Sequence, residues 1–166
     1  MNWRSRIVSP PSDACLKFCS EHLASFDLSD LNHVSIFRGK PYFGVYGFME
    51  CSSSRGRSPC HINTYIPGPF PYELTSLRTP LILKIESANI PSDAYVASRN
   101  VSIDRSEVRV SLRSRVLLNC QDEGFVWILG HEFFHYLTHT DQLDKPDTEN
   151  NADEYGNFLL EQWRAI

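Results

Sequence analysis

The chain has 166 residues, 42% hydrophobic and 12% aromatic, enough for one domain to bury a core without covalent staples, which excludes a disordered tail and a multidomain machine. Sixteen Lys and Arg against twenty Asp and Glu give a net charge of −4, so coating of a nucleic-acid duplex is a poor expectation. The charges are unevenly placed. From Leu117 onward only Lys145 and Arg164 oppose ten carboxylates, while the stretch before it carries Arg99, Arg105, Arg109, Arg113 and Arg115. Five cysteines, an odd number, and a polar N-terminal run without an apolar h-region lead to the expectation of a reduced, cytoplasmic protein with free thiols. Cys51 and Cys60 would then close a loop only in an oxidising compartment. No run approaches the ~18 apolar residues of a membrane span, so no membrane partner is expected.

Taken in chain order, Ser12 is placed to cap a first helix in which Cys15, Phe18, Cys19, His22, Leu23 and Phe26 recur at helical spacing. Short β-rich runs follow at Tyr42 to Met49, Ile62 to Ile66, Leu81 to Ile85 and Val108 to Leu112, and predict a small, twisted, mostly antiparallel sheet. In the last run Val108, Val110 and Leu112 alternate with Arg109, Ser111 and Arg113, the pattern of a half-buried strand. Ser52 to Pro59 and the proline-rich Pro67 to Pro80 read as loops. From about Asp122 to Thr138 an unusually apolar helix is expected, with Phe125, Val126, Leu129, Phe133, Tyr136 and Leu137 on its stripe. Pro146 blocks its continuation, and Thr148 can cap a terminal helix carrying Ala152, Tyr155, Gly156, Leu159, Leu160 and Trp163. Tyr42, Tyr46 and Tyr65 read as core or sheet-face aromatics rather than a binding box.

The apolar helix contains His131-Glu132-Phe133-Phe134-His135, an HExxH sequence. Four residues advance a helix by about 6 Å and a little over one turn, so both imidazoles project from one face and can grip one ion. One Zn2+ is the natural occupant, and Glu132 stands beside the first ligand as the proton acceptor for zinc-activated water. A charged Glu132 in so apolar a helix also needs a partner or a cavity, which a zinc cleft supplies and a plain core does not. A catalytic zinc takes a third protein ligand, and the candidates are His139, Glu149 and Asp153. His139 lies about 12 Å along the helix from His131, too far to share roughly 2 Å bonds, and is expected to line the cleft or cap the helix end.

Glu149 to Gly156, E-N-N-A-D-E-Y-G, following HEFFH resembles the E-x-x-A-D-x-Y-A/G segment of gluzincin metallopeptidases, including HtpX-like and CAAX prenyl endoproteases. The longer HEFFHYLTH is similar to the HExxHxxxH of ImmA/IrrE-type metallopeptidases. The resemblance covers about Gly124 to Leu160, under a quarter of the chain. It implies Glu149 as the third zinc ligand and Asp153 as the carboxylate orienting a ligand histidine, because a zinc-bound imidazole needs its other N–H held. An aspzincin arrangement, with Asp153 as ligand, is a lesser alternative, and the metzincin pattern is missing its downstream glycine and histidine.

The resulting expectation is an α+β chain, residues 1–166 forming a single minimal zincin-like domain, with a small sheet, an active-site helix and a C-terminal ligand helix. It would be a zinc-dependent metalloendopeptidase acting on a peptide or protein substrate, with Glu132 as general base and Tyr155, His139, Arg109 or Arg113 as candidate oxyanion or substrate contacts. In zincin folds the strand before the active-site helix commonly pairs with an extended substrate, a role that falls here to Val108 to Leu112. The rival is a catalytically latent or inactive protein-interaction module stapled by zinc, for which Glu132 has no use.

Overall fold

Three helices and seven strands occupy the described residues, 1–39, 46–51, 59–84, 94–96 and 107–166, of a computed structural model; the side chains of 76–84, 94–96 and 107–114 lie outside that description. The order is β1 (Trp3–Ser5), α1 (Asp13–Leu23), β2 (Leu31–Arg38), β3 (Gly47–Cys51), β4 (Cys60–Ile66), β5 (Tyr72–Lys84), β6 (Ala94–Val96), β7 (Glu107–Leu118), α2 (Gln121–His139) and α3 (Glu149–Arg164). The fold is α+β. Its residues fall into two compact units, Met1–Tyr72 with Leu117–Ile166, and Glu73–Val116. Among the described residues no helix is long and apolar enough to cross a membrane.

In the larger unit, two helices start where the sequence carries a cap. Ser12 Oγ accepts the Cys15 N–H at 3.2 Å, and Thr148 Oγ1 accepts the Asn151 N–H at 3.3 Å, each satisfying an amide that the first turn leaves open. The Ser12 backbone N–H also donates to Asp122 Oδ1 at 2.9 Å, which ties the start of α1 to that of α2. Helix α2 has no side-chain cap, and its first turn instead carries Asp122 and Glu123 against the helix dipole. From Glu123 to Leu137 every residue of α2 is buried except His131 and His135. A helix apolar on so much of its circumference must be packed on several sides, and α2 meets α3, β4 and β3.

Four strands form one sheet in the order β1-β2-β4-β3. The antiparallel pairing expected for the sheet holds for β3 with β4, and in the smaller unit for β6 with β7. The pairs β1–β2 and β2–β4 are parallel. The cause for the first lies in the connection: α1 carries the chain from β1 back to the start of β2, and a crossover of this kind returns the next strand in the same direction. Strand β2, LNHVSIFR, escapes the period-two pattern because Val34, Ser35 and Ile36 are all buried, as suits an interior strand. Leu31, Val34, Ile36, Ile62 and Ile66 from the sheet, with Phe125, Val126, Leu129, Phe133 and Leu137 from α2 and Cys15, Cys19 and Leu23 from α1, make the core.

In the smaller unit the strand order is β5-β7-β6. The loop expected across Pro67 to Pro80 ends early, since β5 begins at Tyr72 and contains Pro80. An edge strand tolerates proline because half of its N–H groups have no ladder partner to lose, and β5 is an edge. The side-chain alternation expected for Val108 to Leu112, Tyr42 and residues 52–58 of the expected first loop lie outside the described residues.

The free-thiol expectation is corrected at one pair. Cys51 and Cys60 are joined by a disulfide, with their Cα atoms 4.1 Å apart, while Cys15, Cys19 and Cys120 remain thiols. Their positions face each other across the β3–β4 ladder, a proximity that depends on strand register and is not visible in an odd cysteine count.

Candidate metal centre

Two glycines bring α3 close enough to α2 to build the site. A Cβ on Gly130 would lie 3.0 Å from Gly156 Cα, and one on Gly156 would lie 2.9 Å from the Trp127 carbonyl oxygen. Glycine at both positions therefore permits the helix backbones to approach more closely than a pair of alanines would. The first turn of α3 then faces the two non-buried histidines of α2.

The histidines are held from behind and converge in front. His131 Nδ1 donates to Asp153 Oδ1 at 2.9 Å, and His135 Nδ1 donates to Asp147 Oδ1 at 2.6 Å. With both Nδ1 protons engaged by carboxylates, a neutral imidazole presents a lone pair at Nε2. The two Nε2 atoms are 3.3 Å apart, and Glu149 oxygens lie 3.3 Å from His131 Nε2 and 3.8 Å from His135 Nε2. One ligand atom from each of His131, His135 and Glu149 falls within a 4.8 Å group. Two imidazole lone pairs and a carboxylate directed at one another repel unless a proton or cation lies among them. Two nitrogens and one carboxylate, each imidazole backed by a second carboxylate, are the donor set that fits zinc.

The electrostatics follow from this crowding. Burial alone would lower the pKa of His131, but its bonds to Asp153 and Glu149 and the nearby charge of Glu132 outweigh burial and raise it to about 9. Glu149 is held below the usual carboxylate range, chiefly by its bond to His131. Glu132 is 5% exposed, and burial raises its pKa to about 7, against the opposing pull of both histidines and the Met49 backbone N–H. A carboxyl that titrates near neutrality can accept and return a proton there.

Strand β3 supplies the other wall. A Cβ on Gly47 would fall 2.5 Å from both Cγ and Oε1 of Glu132, so glycine is required for that carboxyl to lie against the strand. With the order β1-β2-β4-β3, β3 is an edge of the sheet among the described residues, and its Gly47 lies against Glu132. The run Val108 to Leu112, expected to pair with substrate, belongs to β7 of the three-stranded sheet. Trp127 stacks on His131 at 5.4 Å between ring centroids and donates through Nε1 to Asn157 Oδ1 at 2.8 Å.

His131, Glu132, His135, Glu149 and Asp153 are thus brought together, with Asp153 on Nδ1 of His131 and Glu149 on the Nε2 side. Tyr155 instead has its hydroxyl on His22 Nε2 at 2.9 Å and rings of Phe134 and Phe158 around it, and burial raises its pKa to about 12. His139 groups with Cys51 and Cys60, not with His131 and His135. The side chains of Arg109 and Arg113 lie outside the described residues. Asp147, Gly130 and the β3 wall were not read from the sequence. Asp147 sits in an acidic stretch where nothing local separates it from its neighbours, and its contact with His135, twelve residues earlier, is made through the turn between α2 and α3.

No family model matches the chain, and no curated protein or solved structure matches it.

Proposed function

We propose that the chain is a zinc-dependent peptide-bond hydrolase, a metalloendopeptidase of gluzincin type with Glu132 as general base. The observation that carries this reading is the paired orientation of the two histidines: carboxylates on both Nδ1 atoms, and both Nε2 atoms turned toward Glu149, beside a buried carboxyl that titrates near neutrality. His131, His135 and Glu149 would hold one zinc ion, which when bound supplies a Lewis acid and brings the pKa of water to about 7. Asp153 and Asp147 fix the tautomer and direction of the two imidazoles. Glu132, buried beside the first ligand histidine, takes the proton of the attacking water and returns it to the leaving amine. Among the described residues β3 is an edge of its sheet, and that edge would offer backbone groups to an extended peptide or protein substrate lying alongside Glu132.

A protein-interaction module stapled by zinc would gain nothing from a buried carboxyl seated against Gly47 beside the metal ligands, so Glu132 and Gly47 favour the enzyme. The thiols Cys15, Cys19 and Cys120 support a cytoplasmic setting, in which the Cys51–Cys60 bridge is open to reduction. The test is hydrolysis of a peptide library by the zinc-loaded chain and by Glu132→Gln. Wild type is expected to cleave, and Glu132→Gln to retain zinc while losing at least about 100-fold in rate, the scale of general-base catalysis. Proteolysis persisting in Glu132→Gln at the wild-type rate would overturn the mechanism, and a zinc-loaded wild type that cleaves no peptide would overturn the activity.

A further inference from the structure

A second group of metal-ligating side chains lies at the C-terminal end of the HExxH helix. Cys51 ends β3, Cys60 begins β4 and His139 ends α2, and one ligand atom from each lies within 4.8 Å of the others. Cys51 and Cys60 are directly opposed in the antiparallel ladder, so their side chains leave the same face of the sheet. Met49, two residues before Cys51 and on that face, places its Sδ 3.1 Å from Cys51 Sγ. Cys60 is 1% exposed whereas His139 is exposed, so the group has a buried floor and an open side through which an ion can enter. His139 lies four residues beyond His135, about 6 Å along α2, and the two groups share no ligand.

The donor types are informative. Two thiolates and an imidazole, with a thioether beside them, are soft donors that favour Zn2+ or Cu+ over Mg2+ and Ca2+. Tetrahedral bonds of about 2.3 Å to sulfur and about 2.0 Å to nitrogen separate ligand atoms by roughly 3.5 Å, a spacing that the three side chains reach by rotation once the sulfurs are unbonded.

We propose that Cys51, Cys60 and His139 form a redox-gated site for one thiophilic d10 cation, Zn2+ or Cu+. A dithiol reductant breaks the Cys51–Cys60 bond: two electrons and two protons pass to the protein sulfurs, and the reductant leaves as its own disulfide. Each thiol loses its proton on coordinating, and His139 binds as the neutral imidazole. In the reverse exchange a small-molecule disulfide accepts two electrons from the two thiolates and, with two protons from water, leaves as its thiols; re-forming the Cys51–Cys60 bond removes both sulfur donors and expels the ion. Disulfide and metal therefore exclude each other at one place, and either of them links β3 to β4.

The experiment compares the full chain in its oxidised form with the same chain reduced by a phosphine that is then removed by anaerobic desalting, since a phosphine would itself bind Cu+. Each is titrated with Co2+ as the spectroscopic stand-in for Zn2+, and separately with Cu+ under anaerobic conditions. The reduced chain is expected to take up one more equivalent of one of these ions than the oxidised chain, with a thiolate-to-metal charge-transfer band that the sulfur-free His131, His135 and Glu149 cluster cannot produce. Cys60→Ser should abolish the extra equivalent, and the exposed His139→Ala should weaken its binding by about tenfold or more. Equal uptake of both ions by the oxidised and reduced chains would overturn the proposal, as would a charge-transfer band whose affinity is unchanged in His139→Ala. Because the band reports sulfur ligation, such a failure leaves the hydrolase reading intact, and failure of that reading leaves this site intact.

Discussion

Gly156→Ala puts the helix crossing to a quantitative test. In an ordinary helix this change stabilises by about 1 kcal/mol, because alanine loses less backbone freedom on folding than glycine. Here the added Cβ would meet the Trp127 carbonyl oxygen at 2.9 Å and the Trp127 ring at 3.1 Å, where ordinary contact begins at 3.4 Å. Relief requires α3 to withdraw from α2 by about 0.5 Å, since a backbone carbonyl in a buried helix cannot rotate away. The same displacement would stretch the 2.9 Å bond between His131 and Asp153 and the 3.3 Å approach of Glu149 to His131. Overpacking of this kind costs about 1–3 kcal/mol, which outweighs the propensity gain and leaves a net loss of about 1 kcal/mol. Displacing both a ligand and the carboxylate behind another should also weaken zinc binding by about 10–100-fold. Urea unfolding of the metal-free chain and a competitive chelator titration read the two effects separately. A variant that is more stable by about 1 kcal/mol and binds zinc as wild type does would refute the argument that close helix approach builds the site.

Asp147→Ala removes the carboxylate behind His135 at a half-exposed position, so zinc affinity should fall about 10–100-fold with little change in unfolding free energy; a chelator competition showing wild-type affinity would deny Asp147 its role. In the metal-free chain the pKa of His131 is raised from 6.5 to about 9, so its contribution to stability is complete below pH 6.5 and is lost as pH rises through 9. Glu132, raised from 4.5 to about 7, contributes below pH 4.5 and loses that contribution as pH rises through 7. Both act in the same direction, so the urea midpoint of chelator-treated protein should decline between pH 6.5 and 9, and a flat profile there would contradict these shifts. Zinc uptake at pH 7 should accordingly release about one proton, measurable by calorimetry in buffers of different ionisation enthalpy.

What could be read in the sequence was local. Ser12 and Thr148 cap the helices expected of them, because a cap needs only its own side chain and an amide three residues on. His131 and His135 share a face because helix geometry alone requires it, and the apolar residues between and around them foretold the burial of α2. The parts that were not legible depend on residues distant in the chain. The parallel pairing of β2 with β1 and β4 depends on where α1 returns the chain, and three consecutive buried residues hide the strand's period. The Cys51–Cys60 bridge follows from β3–β4 register. Gly47 had no local signature either: its significance is the Glu132 carboxyl lying against it, which only packing of α2 on the sheet edge reveals. His139, eight residues from His131 on the same helix, lies outside the His131, His135 and Glu149 group, and the cysteines it meets come from two strands.

The ligand assignment at the centre of the hydrolase reading is tested most directly by zinc content after dialysis, measured on the oxidised chain for wild type, Glu149→Gln and Asp153→Asn. Wild type should hold one zinc per chain. Glu149→Gln should come out of dialysis largely empty, since it loses an anionic donor from the metal itself, whereas Asp153→Asn should retain zinc with affinity lowered about 10–100-fold, since it loses only the group behind His131. Full occupancy in Glu149→Gln together with loss in Asp153→Asn would contradict the assignment and make Asp153 the third ligand.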